Sequence, residues 1–251
     1  MNRYFDNLVL KKPVFYFVYL LVGINLVMMG LYFSGNEFLQ NLIVPKMVGL
    51  EVNSWREFGL LEMLQNLFLL GVIVILSYGL ISQTSFLDKG LYLLAILVFV
   101  FLFLEEIDYG LHYYEFITGN SLGDQPRNWH NQEGADGHQN TRKIKKIADA
   151  ALVLMFVLVP LLCTFTPLKK SLGKLNFIPV IYFLWAIIIS FLLSKFAHFL
   201  NDLDFGVVNG AQGKIYNNIS EFRETSMYYI YVLYALQLVG RPSLFLSPKS
   251  E

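Results

Sequence analysis

Long apolar runs alternate with shorter polar segments along most of the chain. A helix needs about 20 mostly apolar residues to cross a hydrocarbon core of roughly 30 Å. Six stretches approach that length, at residues 14–34, 60–82, 86–107, 150–166, 177–196 and 226–240. The pattern predicts an all-α fold, a polytopic integral membrane bundle of about six transmembrane helices that forms a single domain over residues 1–251.

Two of the connections between the apolar runs have distinct sequence patterns. Residues 35–59 carry apolar side chains at a helical spacing, which predicts a short interfacial helix on the membrane surface between the first two spans. Residues 119–141 are rich in Gly, Asn, Gln and Asp and show no apolar periodicity. We therefore expect residues 110–148 to form a polar extracytoplasmic loop.

Lysine and arginine in the short connections predict the orientation. The N-terminal tail, the 83–89 turn, the 168–176 loop and the tail after Gly240 hold nine basic residues in about forty positions, while the opposite segments hold a similar number in about ninety. This bias predicts a multi-pass protein of the cell membrane with both termini cytoplasmic. The basic cluster at 142–146 lies on the opposite side and runs against this assignment.

The composition agrees with a membrane protein and excludes several other classes. Hydrophobic residues make up 55% of the 251 and charged residues 15%, whereas soluble domains carry about 25% charged residues. The apolar composition makes membrane lipid an expected partner. The formal net charge is zero, so nucleic acid is not an expected partner. With Cys163 as the single cysteine, the chain has no internal disulfide and no thiolate metal site that needs several cysteines.

The ionisable residues gather on the predicted outer side. Of the 19 acids, only Asp6, Asp88 and Glu251 fall on the cytoplasmic side, and all four histidines fall on the outer side. The strictly apolar parts of the second, third and sixth runs cover about 22 Å at most, so each span must include carboxylates at its outer end. Such charges are costly unless they face one another, water or a metal ion. Local thinning of the bilayer or simple flanking at the interface is the alternative explanation.

Helical spacing places many of these polar side chains on shared faces. Glu105, Asp108, His112 and Glu115 fall within an arc of about 80°, whereas Glu106 points away. The same spacing groups Lys195, His198 and Asp202 on the fifth run, Glu221, Glu224, Tyr228 and Tyr231 on the sixth, and Glu62, Gln65 and Asn66 on the second. We expect one polar site at the outer ends of these four helices.

The residue types suggest acid and base chemistry at this site. A carboxylic acid in apolar surroundings keeps its proton near neutral pH and can act as a general acid beside an ionised partner. The candidate catalytic residues are Glu62, Glu105, Asp108, Glu221 and Glu224. His112 and His198, together with the carboxylates, are candidate ligands of a divalent metal ion, the one cofactor that the pattern suggests. Tyr228 and Asn66 are candidate substrate-binding residues.

Several short motifs are similar to those of one protein family. Residues 105–110, at the end of the third apolar run, resemble a Glu-Glu-Ile-Ser-Trp-Gly motif of an uncharacterised family of multi-pass bacterial membrane proteins. Asp108 stands in place of the serine and Tyr109 in place of the tryptophan. Residues 57–62, residues 128–131 and the pair Glu221 and Glu224 agree with the same family. The resemblance implies a multi-pass membrane protein and this choice of site, without implying a reaction.

Three functions remain open from the sequence. The leading hypothesis is an integral-membrane enzyme that acts on a lipid or isoprenoid-like substrate at the outer membrane interface. A cation or proton-coupled transporter would carry ionisable groups through the midplane, where this sequence has few. A non-catalytic subunit of a membrane assembly would direct its carboxylates outward, toward lipid headgroups.

Overall fold

The structure is a computed structural model that describes residues 8–45, 58–120, 122, 147, 149–165, 175–208, 219–239 and 243–244. Every regular element within these ranges is helical, which confirms the all-α prediction. The helices are α1 (Phe15–Tyr32), α2 (Glu37–Ile43), α3 (Leu60–Ser82), α4 (Phe86–Glu106), α5 (Leu111–Thr118), α6 (Asp149–Leu162), α7 (Tyr182–Asp202) and α8 (Glu221–Val239). Two segments are π-helical, Phe15–Leu20 in α1 and Leu154–Leu158 in α6.

Within the described part of the chain, four helices are long and apolar enough to cross a membrane: α1, α3, α4 and α7. Each corresponds to a predicted span, although α7 begins five residues later than the sequence suggested and continues to Asp202. The other two predicted spans also fold as helices. Helix α6 is a shorter apolar helix, and α8 has 19 residues but a more polar sequence.

Helix α8 lies at the centre of the bundle. Five neighbouring helices each contribute a side chain that contacts it: Tyr32 meets Phe222, Gln65 meets Thr225, Glu106 meets Tyr228, Phe156 meets Tyr231 and Ser190 meets Met227. A helix enclosed in this way can carry polar residues, provided that its neighbours satisfy them. The enclosure explains why α8 begins at Glu221, five residues before the apolar run that predicted it.

The directions of the helices bring their polar ends together. Helices α3 and α8 run parallel, because Gln65 bonds to Glu221 near the start of both and Gly79 lies beside Val239 near their ends. Helix α4 is antiparallel to both, since α3 turns into it over three residues. We call the end where α3 and α8 begin and α4 ends the polar end of the bundle.

A short helix and two loops close the polar end. The Asn36 side chain caps α2 by accepting hydrogen bonds from the backbone N–H groups of Phe38 (2.9 Å) and Leu39 (3.2 Å). The N–H of Gly35, just after α1, donates to the carbonyl oxygen of Gly206, just after α7, at 2.8 Å. Helix α2 lies within the segment for which we predicted a helix, of which residues 46–57 are outside the described residues.

Substitution of Gly206 tests this closure. Its φ of +61° is unfavourable for other residues, and a Cβ there would overlap the carbonyl group of Phe33. We expect Gly206→Ala to lower the free energy of unfolding by about 1–3 kcal/mol. Gly90→Ala is the matched control, because nothing lies within 4 Å of a Cβ at that position in α4. Thermal unfolding in detergent measures both, and equal midpoints for the two variants would contradict the close approach.

Candidate functional site

One carboxamide joins α3 to α8 at the polar end. Gln65 is fully buried, and its Nε2 donates to the backbone oxygen of Glu221 and to Oγ1 of Thr225, both at 3.1 Å. The same nitrogen lies 3.3 Å from the Glu221 carboxylate. Glu221 and Thr225 are four residues apart and so share one face of α8. Gln65 therefore holds the start of α8 in a fixed rotation toward α3.

Two more predicted residues of α3 lie next to this contact. Glu62 is 3% exposed and Asn66 is 8% exposed, and together with Gln65 they span an arc of about 100° on the helix. The carbonyl oxygens of Gln65 and Asn66 are both buried without a hydrogen-bond donor. This part of the site is therefore rich in acceptors.

A second contact joins α4 to α8. The Tyr228 hydroxyl donates to Oε1 of Glu106 at 2.5 Å. Glu224 lies one turn earlier on the same face of α8, and the Tyr231 ring lies 6.2 Å from the Tyr228 ring between centroids. Tyr228 is 8% exposed, while Glu106 and Glu224 are half-buried. A phenol and two carboxyl groups from different helices thus meet at one partly accessible place.

Glu106 was not among the candidate catalytic residues because it pointed away from the predicted stripe, which assumed a helix that continues to residue 115. Helix α4 ends at Glu106, and the backbone then takes positive φ angles at Asp108 (48°), Tyr109 (54°) and Gly110 (81°). The predicted continuous stripe from residue 105 to residue 115 is therefore wrong. Gly110 was the available signal, since a glycine just after an apolar run often marks the end of a helix.

The break in the helix separates the predicted stripe into two parts. Glu105 stays on α4, where it is 4% exposed and accepts a hydrogen bond from the Tyr109 hydroxyl. His112 and Glu115 are buried on α5. The His112 ring packs edge-on against Phe58, with 5.4 Å between the ring centroids. His112 thus contributes to the packing of α5 against the residues that precede α3.

The remaining predicted residues lie at the same end. Asp108 is half-buried in the turn after α4, and His198 is half-buried in the last turns of α7. In the parts of the chain that the structure describes, no three His, Cys, Asp or Glu side chains are grouped to hold a metal ion. His130 and His138 are outside the described residues. The divalent metal bound by His112 and His198 stays a prediction.

An ion pair that the sequence did not suggest links α6 to α8. Arg223 Nη2 lies 3.4 Å from Oδ1 of Asp149 at the start of α6. The guanidinium also lies over the Phe191 ring of α7, 5.9 Å from its centroid. Arg223 therefore joins three helices beside the carboxylates of α8.

Comparison with protein-family models, curated proteins and solved structures finds no significant match for this chain.

Alkaline titration tests the contact between Tyr109 and Glu105. The hydrogen bond to Glu105 raises the pKa of Tyr109, because the phenol must keep its proton to donate it. The stabilisation is thus present below the ordinary tyrosine pKa of about 10 and is lost as the pH rises through the raised pKa. Subtracting the titration of the Tyr109→Phe variant isolates the phenolate absorbance of Tyr109. We expect this absorbance to appear at lower pH when Glu105 is replaced in Glu105→Gln.

Tyr114→Phe controls for the loss of any tyrosine, because Tyr114 is an exposed residue of the neighbouring helix α5. Circular dichroism should show the same helix content in all of these variants. An unchanged titration of Tyr109 in Glu105→Gln would contradict the hydrogen bond.

Proposed function

We propose that this chain is an integral-membrane enzyme that performs acid and base chemistry on a lipid or isoprenoid-like substrate. The observation that carries this proposal is the hydrogen bond from Tyr228 to Glu106 beside Glu224. A protonated carboxyl group can act as general acid, a neighbouring carboxylate as general base, and the phenol as a positioned donor. Half-burial of Glu106 and Glu224 leaves them within reach of a substrate.

In this mechanism the remaining predicted residues support the reacting groups. Gln65 fixes the rotation of α8 through Glu221 and Thr225, so that Glu224 and Tyr228 face α4. Glu62 and Asn66 line the adjoining part of the site. Glu105 and Asp108 flank the end of α4, and we assign them to positioning rather than to contact with the substrate.

We also propose that six helices cross the membrane. Nineteen residues of α8 extend about 28 Å, close to the thickness of the hydrocarbon core. The polar side chains of α8 are compatible with a membrane-spanning position, because neighbouring helices surround this helix. Helix α6 is shorter and would span with the residues that flank it. On α2, Phe38 is 74% exposed, which favours a position in the membrane interface.

The surroundings of the site favour a substrate that enters from the lipid. Helix α4 exposes a face of apolar side chains, which include Leu94, Leu97 and Phe101. Two aromatic rings contact the Tyr231 ring of α8: Phe99 of α4 at 5.3 Å and Phe156 of α6 at 6.4 Å between centroids. Aromatic rings of α4, α6 and α8 thus meet at Tyr231, three residues beyond Tyr228, and such rings suit contact with a hydrocarbon chain.

The two alternatives receive less support. A cation or proton-coupled transporter needs polar groups through the midplane. The buried Asp88 lies at the end of the bundle opposite the polar end, and it serves to anchor chain segments. Its carboxylate accepts hydrogen bonds from Ser243 Oγ (2.9 Å) and Leu244 N (3.3 Å). A non-catalytic subunit would direct its carboxylates outward, whereas Glu106 and Glu221 both bond within the bundle. We retain the family resemblance and the cell-membrane location as parts of the proposal.

A lipid turnover assay tests the proposed reaction. The protein is reconstituted in nanodiscs that contain bacterial phospholipids and a polyprenyl phosphate, and lipid masses are followed over time. We expect one lipid class to change mass with the native chain. The rate should fall by about 10²-fold or more in Glu106→Gln and Glu224→Gln, because each loses a titratable proton but keeps its size.

Glu37→Gln is the matched control, because Glu37 is an exposed carboxylate of α2 at the same end of the bundle. It should turn over lipid at the native rate. No change in any lipid with the native chain, or full activity in both site variants, would overturn the proposed function.

Labelling of single cysteines tests the proposed orientation. Thr118 after α5 and Thr84 between α3 and α4 are exposed at opposite ends of the bundle. In a Cys163→Ser background, a membrane-impermeant maleimide should label Thr118→Cys in intact cells and should label Thr84→Cys only after lysis. Labelling of Thr84→Cys alone would place the site at the cytoplasmic face.

A further inference from the structure

Helix α5 has an inverted arrangement of polar and apolar side chains. Its histidine and its acid, His112 and Glu115, are 0% and 1% exposed and form the inward face. The outward face consists of three aromatic side chains and one aliphatic side chain: Tyr113, Tyr114, Phe116 and Ile117. Ile117 lies at the centre of this face and is 79% exposed. A helix that faces water shows the reverse pattern, so the outward face of α5 suits an apolar environment.

Aromatic contacts hold the inward side of α5 against the residues that precede α3. The centroid of the Phe58 ring lies 5.4 Å from those of His112 and Tyr113 and 5.0 Å from that of Phe116. Beyond α5, the backbone N–H of Leu122 donates to Oε1 of Glu115 at 2.6 Å. The chain on both sides of α5 is thus tied to its inward face, and these contacts fix which side chains point outward.

The length of α4 sets the depth of α5. Its 21 residues extend about 31 Å, close to the thickness of the hydrocarbon core. With α4 across the membrane, Glu106 at its end lies at the boundary. Four residues separate Glu106 from Leu111, and the positive φ angles among them turn the chain. Phe58 precedes α3 by two residues, so both neighbours of α5 place it at this boundary.

The side chains of the outward face are typical of a membrane interface. Tyrosine is enriched there because its ring packs among lipids while its hydroxyl stays near water, whereas an aliphatic side chain enters the hydrocarbon. Tyr113 and Tyr114 lie about 40° and 60° on either side of Ile117 around the helix. Tyr109, in the turn between α4 and α5, is also exposed. Exposed apolar and aromatic side chains therefore continue from α4 through the turn onto α5.

We propose that α5 binds the membrane interface, with Ile117 among the acyl chains and the two tyrosines at the level of the headgroups. The lipid around α4 is the partner, because the exposed apolar surface of α4 continues onto α5. Residues 111–118 then lie in the membrane boundary and do not belong to the polar extracytoplasmic loop that the sequence predicted over 110–148. The proposal rests on the proposed membrane-spanning position of α4 and is independent of the chemistry at Glu106.

The accessibility of a nitroxide label tests this position on the full chain in nanodiscs of phosphatidylcholine and phosphatidylglycerol. Ile117→Cys is labelled in a Cys163→Ser background. Power saturation then compares its collisions with oxygen, which concentrates in hydrocarbon, and with a neutral nickel chelate, which stays in water. Thr118→Cys is the matched control, because Thr118 is an exposed neighbour that lies about 100° further around the helix.

We expect the ratio of oxygen to nickel collisions to be about threefold or more higher at Ile117 than at Thr118, because an interfacial helix buries its apolar face by about 5–10 Å. Tyr114→Cys should give an intermediate ratio, since it lies between the two positions around the helix. Circular dichroism should show the same helix content in every labelled variant.

A label on α4 separates this proposal from the others. Leu97 is exposed near the middle of α4, and Leu97→Cys should give the highest ratio of all. A high ratio at Leu97 with a low ratio at Ile117 would refute the position of α5 alone. A low ratio at Leu97 would refute the span of α4 and the position of α5 with it. Absence of lipid turnover would leave all of these ratios unchanged and would refute only the enzyme proposal.

Two further results would overturn the interfacial position of α5. Frequent nickel collisions at both Ile117 and Thr118, with equal ratios, would place α5 in water. Few collisions of either reagent at Ile117 would show that protein covers the face, and a second copy of the chain would then be its partner in place of lipid.

Discussion

Enclosure of the polar helix α8 is the constraint on which the rest of the structure depends. In apolar surroundings its polar side chains must find partners inside the bundle. Ser226 Oγ lies 3.1 Å from Oδ1 of Asn25, and Gln237 accepts a hydrogen bond from the Val180 N–H at 3.1 Å near the opposite end. With Gln65 at the polar end, such contacts fix both the depth and the rotation of α8. Packing of apolar side chains alone would allow the helix to slide or turn.

The same enclosure assembles the candidate site. Once Gln65 fixes Glu221 and Thr225 toward α3, the spacing of α8 directs Glu224 and Tyr228 toward the end of α4. The turn that follows Glu106 then places His112 and Glu115 of the predicted stripe on α5. The chain therefore separates an α3 and α8 region that is rich in acceptors from an α4 and α8 region where a phenol meets two carboxyl groups.

The two regions differ in their contacts. In the first, the buried amide oxygens of Gln65 and Asn66 have no hydrogen-bond donor. In the second, the Tyr228 hydroxyl donates to Glu106, and this contact carries the proposed acid and base chemistry. The single site of histidines and carboxylates that the helical phase suggested stays a prediction.

The sequence by itself determined the all-helical class and the four helices that are long and apolar enough to cross a membrane, because a helix that crosses hydrocarbon must be apolar along its own length. It could not determine where α8 begins, since neighbours rather than composition satisfy an interior helix. Nor could it show that Glu106 meets Tyr228 or place His112, because helical phase holds only within one helix, and the positive φ angles at Asp108, Tyr109 and Gly110 interrupt it. Which carboxylates meet was decided by tertiary structure, because hydrogen bonds between helices depend on rotations that no single helix encodes.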